Sequence, residues 1–186
     1  MGHSKPHLLV NNKRLIDLVS FQISDLFDEL LVVLKGGMRE ISPYRCVYDN
    51  YQDYSPLFGI YTGILYSSSY YNFIIGCDMP FASRELVSFI LREAEKSAAD
   101  VVVPVVRGFY EPLFAVYSKN CIPTIERNIK NGVFKVTSFY DDIRLHVLSE
   151  ETIMKYDSGL QSFVNINTRE DLRKAFALYD REKEDY

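Results

Sequence analysis

The sequence has no excess of positive charge: 21 Lys and Arg stand against 25 Asp and Glu, for a formal net charge of −4. A surface of that sign repels a phosphate backbone, which excludes a nucleic-acid binder whose affinity rests on phosphate neutralisation. Any phosphate-bearing ligand must be met by a local site. Cysteine is scarce as well. Cys46, Cys77 and Cys121 form no C-x-x-C pair and cannot all pair within the chain, which fits a reducing, cytoplasmic setting better than a disulfide-stapled scaffold. No run reaches the roughly 18 apolar residues of a membrane helix. The longest are 30–34 and 101–106, and the second contains Pro104. The opening MGHSKPHLLV lacks the apolar core of a signal peptide. Histidine is limited to three residues, and Pro6 between His3 and His7 breaks the helical face on which an i,i+4 pair could hold a metal. The expectation is a cytoplasmic protein with neither nucleic acid nor membrane as partner.

Hydrophobic residues at 47% and charged residues at 25% are ordinary for a globular protein, and 186 residues suit one domain. A single domain over 1–186 is expected, with a charged tail, REKEDY, from about residue 181. Ile16, Val19, Ile23 and Leu26 mark an apolar helical stripe, followed by a compact buried strand at 30–34 that ends at Gly36-Gly37. A short strand at 45–48 and the polar, aromatic loop DNYQDYSP lead to a helix carrying Leu57, Ile60, Tyr61, Ile64 and Leu65. The run 72–76 reads as a central strand, with Ser83 as the N-cap of the next helix. Further strands are expected at 101–106, 113–117, 145–148 and 162–166, and helices at 121–130 and around Leu172, Ala175, Phe176 and Tyr179. Continuous apolar strands alternating with amphipathic helices require a mostly parallel sheet covered on both faces, a three-layer α/β/α Rossmann-like fold. Ligands of such sheets collect beyond the carboxyl ends of the strands.

That rule selects the candidates. Asp78, just past the central strand in Gly76-Cys77-Asp78-Met79-Pro80, is placed to hold Mg²⁺ and through it phosphates, although an aspartate there can equally serve only the turn. Asp49 follows the second strand and could face the same crevice, with the same turn alternative. Lys5 could reach phosphate oxygens as a flexible point charge. Thr168 and Asp171 have capping-box spacing, which leaves Asn165 as an amide at a strand's carboxyl end, able to hydrogen-bond a ligand. Gly59 and Gly63, four apart, allow close packing on a helix. Tyr51, Tyr54, Tyr70 and Tyr71 could line a pocket for a flat ring.

The segments resemble, nearly end to end, the molybdenum cofactor guanylyltransferase (MobA) family of the nucleotide-diphospho-sugar transferase fold. MGHSKPHLLV is similar to the end of that family's LAGGxSxRMGxDKxLL signature, SPLFGIYTGI to its GPLAGI segment and GCDMPF to its CDxPF strand end. EPLFAVY resembles its HPLFALY-like strand and FVNINTREDL its VNxNTxEDL ending. The resemblance implies transfer of GMP from GTP to molybdopterin with release of pyrophosphate, with Mg²⁺ as cofactor and other cofactor-biosynthesis proteins as conceivable partners. It implies Lys5 on the triphosphate, Asp78 as the Mg²⁺ ligand, Asp49 as a nucleotide contact, and Asn165 and Asn167 on the acceptor side. The alternatives are a related transferase using CTP or a sugar-phosphate acceptor, and a nucleotidyltransferase-like binding module without turnover. Ser4 stands where the signature has aspartate, and the family's first strand and glycine-rich LAGG loop have no counterpart in the sequence. The expectation that follows is an unfilled apolar slot bordered by the strands at 30–34 and 73–76.

Overall fold

The computed structural model describes residues 9–10, 13–166 and 171. A short hairpin, β1 (Leu9–Val10) with β2 (Lys13–Arg14), leads into α1 (Leu15–Ile23), whose Leu15, Val19 and Ile23 recur every four residues and are buried. Asp17 fastens its first turn, accepting from the Arg14 backbone N–H at 3.3 Å and the Arg14 guanidinium at 2.7 Å, where a carboxylate also meets the positive end of the helix dipole. The apolar runs become β3 (Leu31–Lys35) and β4 (Arg45–Asp49), paired in parallel from Leu31 opposite Arg45 to Lys35 opposite Asp49. Ser55 caps α2 (Pro56–Tyr66), its Oγ accepting from Leu57 N at 3.1 Å, with proline in the first turn. β5 (Tyr71–Ile75) follows. Ser83 caps α3 (Arg84–Ser97), as its sequence position predicts.

β6 (Val101–Val106) and β7 (Phe109–Tyr110) form a hairpin through Arg107 and Gly108, both at positive φ, as a tight two-residue turn requires. Then come β8 (Phe114–Ser118), α4 (Cys121–Lys130), β9 (Leu145–Leu148) and α5 (Glu150–Ile153). β8 lies antiparallel between β5 and β6, and β9 is parallel to β6 on the far side. Alternate residues feed two cores, the outcome of a strand's period of two. Val102, Phe114 and Val116 pack with α1 and α3, whereas Val101, Val103, Ala115 and Tyr117 pack with α2, α4 and the turn containing Phe139. This is the three-layer arrangement that the pattern predicts, with β8 inserted against the parallel direction.

Two expectations change. Residues 162–166 are not a strand: Gln161–Phe163 is a 3₁₀ turn, because the Asp157 carboxylate accepts from Gln161 N at 3.0 Å and Ser162 N at 2.9 Å and curls the chain. The helix around Leu172 to Tyr179 lies outside the described residues, as does Thr168 of the capping box.

Among the described residues, the sheet is divided. β3 and β4 form one ladder, and β5, β8, β6, β7 and β9 another. Glu29, just before β3, accepts from Ser68 N at 3.0 Å, just before β5, so the two strands start at the same level. α2 crosses both: a Cβ added at Gly63 would stand 3.5 Å from Val33 Cγ2 and 3.5 Å from Ile74 Cδ1. Between β3 and β5 lies a cavity of about 600 Å³ walled by both strands, α1 and α2.

Candidate active site

The carboxyl end of β5 is built around Gly76. Its N–H donates to Leu113 O at 2.9 Å, its carbonyl accepts from Met79 N at 3.2 Å, and Met79 is buried beneath the turn. A Cβ at this position would lie 2.6 Å from Asp78 Oδ1. The Asp78 carboxylate thus folds back over the glycine, and only glycine leaves room for it. The Asp78 carbonyl accepts from Ile166 N at 2.8 Å, which fastens the segment bearing exposed Asn165 directly onto this turn. Asp78 and Asn165, 87 residues apart in sequence, are brought to one edge of the sheet. Glu111 stands in the segment leading to Leu113, and its half-burial pushes its carboxyl above the usual glutamate range.

Asp49 ends β4 and is 8% exposed. Its Oδ1 accepts from Tyr51 N at 2.9 Å, and Lys35 Nζ lies 3.4 Å from Oδ2. Lys35 also donates to Tyr51 O and, at 2.8 Å, to Asp53 O, and it stands 5.0 Å from the centre of the Tyr54 ring. The loop 50–55 is wrapped around this one ammonium group. β3 and the cavity lie between β4, which carries Asp49, and β5, so Asp49 and Asp78 stand at the ends of separate ladders.

Lys5 and Asn167 lie outside the described residues. The four tyrosines do not line one pocket. Tyr51 stacks on Phe58 at 4.4 Å beyond the end of β4, Tyr54 is 88% exposed, and Tyr70 and Tyr71 pair edge to face at the opposite, amino end of β5. Sequence reasoning missed Lys35 and the positioning role of Gly76. A lysine closing an apolar run looks solvated, whereas the glycine in GCD was a usable signal.

Among the described residues, no group of three or more His, Cys, Asp or Glu side chains could hold a metal ion. One carboxylate at an open strand end suits Mg²⁺ brought in with phosphates, since that ion is commonly held by one or two carboxylates plus substrate oxygens and water. No helix among the described residues is long and apolar enough to cross a membrane.

Comparison with known proteins converges on this architecture. The family model of the MobA-like NTP transferase domain matches residues 1–143. A probable molybdenum cofactor guanylyltransferase of Natranaerobius thermophilus is 39% identical over 180 residues, covering 94% of this chain and 88% of its own length. The molybdenum cofactor guanylyltransferase of Desulfosudis oleivorans is 31% identical, over 95% of this chain and 87% of its own. Among solved structures, molybdopterin-guanine dinucleotide biosynthesis protein A from Archaeoglobus fulgidus superposes with a TM-score of 0.80 at 24% identity, over 97% of this chain and 92% of that one. The 2-C-methyl-D-erythritol 4-phosphate cytidylyltransferase of Thermus thermophilus superposes at 0.70 and 16% identity, over 95% and 94%, which extends the shared fold to a different transfer reaction. By the match over residues 1–143 and by relatives 39% and 31% identical along nearly the whole chain, this protein belongs to the MobA-like NTP transferase family.

Proposed function

We propose that the chain is a molybdenum cofactor guanylyltransferase of the cytoplasm, transferring GMP from GTP to the terminal phosphate of molybdopterin. The observation that carries this reading is the junction of Gly76, Asp78 and Ile166, which sets one carboxylate beside one amide-bearing segment at the sheet edge where ligands of such folds collect. An oxygen of the acceptor phosphate attacks the α-phosphorus of GTP. The bond from that phosphorus to the bridging oxygen breaks, and pyrophosphate leaves with its electron pair. Such transfers need positioning and neutralisation of charge more than covalent help from the protein. Mg²⁺ held by Asp78 would supply that neutralisation. Asn165 offers its amide to the acceptor, and Asn167 shares that role in this reading. Lys5 adds a point charge on the triphosphate. Asp49 positions the loop at 50–55 for a nucleotide contact through its grip on Tyr51 N and Lys35.

The test is transfer of label from α-³²P-GTP to molybdopterin, run beside CTP and ATP. Product with GTP and Mg²⁺ is expected, and its loss in Asp78→Asn with an unchanged circular dichroism spectrum. Asparagine keeps the volume and removes the charge that holds the ion. Undiminished transfer by Asp78→Asn, or a preference for CTP, overturns the assignment.

A further inference from the structure

Residues 50–54 lead from β4 toward α2 without regular structure, and among the described residues none of their backbone groups is bonded to another backbone group. Both ends of the stretch are fixed. Gly36 N donates to Asp49 O at 2.8 Å, and Ser55 Oγ donates to Phe134 O at 2.6 Å. Between those anchors the main chain is held by two side chains. The Asp49 carboxylate accepts from Tyr51 N at 2.9 Å, and the Lys35 ammonium donates to Tyr51 O and, at 2.8 Å, to Asp53 O. Lys35 Nζ also faces Asp49 Oδ2 at 3.4 Å, so both holding side chains are themselves paired. The rings of Tyr54 and Phe58, with centres 5.0 Å and 5.9 Å from Nζ, flank the cluster, and Phe58 in turn stacks on Tyr51.

The charge and the donor count of this cluster define what the lysine does. Two carbonyl oxygens and a carboxylate oxygen that converge on one point repel one another unless a cation stands among them. An ammonium group has three hydrogens and no acceptor, and three oxygens of the protein already face this one. Lys35 has no hydrogen left for a phosphate, so it acts on a ligand only through the loop. We propose that Lys35 is a positioning residue for the nucleotide, holding the loop 50–55 and the Asp49 carboxylate in the arrangement that receives GTP. This rests on the reading of Asp49 and its loop as a nucleotide contact. A loop ordered in advance leaves less conformational freedom to be lost on binding. Without Lys35 that order has to be imposed by GTP itself, which weakens affinity. The transfer step, at Asp78 beyond β5 on the other ladder, is left as it was.

The test measures GMP transfer and hydrogen exchange of the Tyr51 amide in the full 186-residue chain, as parent, Lys35→Met and Lys35→Ala. Methionine keeps most of the length and loses the charge and its hydrogens. In Lys35→Met the KM for GTP should rise by about tenfold or more, with kcat within about twofold of the parent. Before GTP is added, the Tyr51 amide should exchange roughly tenfold faster than in the parent. Propylammonium supplies the atoms that Lys35→Ala removes and should restore both KM and exchange. Propyltrimethylammonium, a cation with no hydrogen to donate, should restore neither. An unchanged KM, a fall in kcat alone, or unaltered Tyr51 exchange overturns the proposal. Equal rescue by the quaternary ion overturns it as well, because Lys35 would then be only a charge near the site. Failure of propylammonium to restore either quantity does the same, since a variant that has simply misfolded is not repaired by an amine. If the parent transfers no GMP, the nucleotide reading itself fails. Tyr51 exchange and its rescue then still decide whether Lys35 orders the loop.

Discussion

At the scale of single residues, the site depends on a glycine as much as on an aspartate. A methyl group at Gly76 would stand 2.6 Å from Asp78 Oδ1 and 3.3 Å from Met79 Sδ, so Gly76→Ala must push the carboxylate away from its place. Misplacement of a reacting or metal-holding group by about 1 Å commonly costs ~100-fold in rate, and a loss of that order is expected in GMP transfer. The midpoint of the Mg²⁺ titration should move to higher concentration as well. A glycine that merely shapes a turn would lower Tm and leave that midpoint where it was, so the two measurements together decide the role. GCD in the sequence is legible as a strand end. The reason it must be Gly is not, because the clash arises from a fold-back within three residues that no periodicity encodes. Lys35 was equally hidden: its partners, Tyr51 O and Asp53 O, lie 16 and 18 residues further along the chain.

At the scale of elements, the amino ends of β6 and β9 and the start of α4 are tied by one buried carboxylate. Asp100 accepts from Arg144 Nε at 3.1 Å and Nη2 at 3.0 Å, from Arg144 N at 3.1 Å and from Asn120 Nδ2 at 2.9 Å. The Arg144 guanidinium, above all, holds the Asp100 carboxyl well below the usual carboxylate range. A lowered folded-state value stabilises the protein above the unfolded aspartate pKa, near 3.9, and that stabilisation fades as pH falls further below it. Asp100→Asn should therefore lose about 2 kcal/mol at pH 7, the scale of hydrogen bonds to a charged group, and about 1 kcal/mol less than that at pH 3, roughly one pH unit below the unfolded value. Urea unfolding at both pH values measures it, and an equal loss at both would remove the charge from the explanation. The elements themselves were largely legible, since β3, β5 and β6 are short and predominantly apolar and α3 follows a serine cap. Residues 161–163 were not. Val164 and Ile166 suggest a strand, but the hydrogen bonds that decide the conformation come from the side chain of Asp157, a local contact that outweighs apolar content.

At the scale of the whole molecule, the divided sheet makes stability uneven. The larger ladder is buried from both sides by two extensive cores, drawing on α1, α3 and α5 on one face and α2 and α4 on the other. The β3–β4 ladder has Val32, Leu34 and Ile41 as its own buried cluster, with Ile16, Met38, Tyr44 and Tyr48 packed around it. Among the described residues, its links to the rest include α2 above, the Glu29 contacts with Ser68, the Phe27–Phe73 stack, and the hydrogen bonds of Arg14 to Ser42 O and of the Tyr44 hydroxyl to Asp17. Regions with fewer buried apolar contacts open first and as units. Native-state hydrogen exchange at rising urea should thus show residues 31–49 opening together, at lower free energy and with a smaller denaturant slope than 101–106 and 114–118. Gly63→Val should widen the difference. The first added methyl already meets Val33 and Ile74 at van der Waals distance, and the two beyond it drive the β3 and β5 layers away from α2, at the ~1–3 kcal/mol typical of overpacking. Merging of all strands into one isotherm, in parent and variant alike, would show that α2 alone makes the two ladders a single cooperative unit.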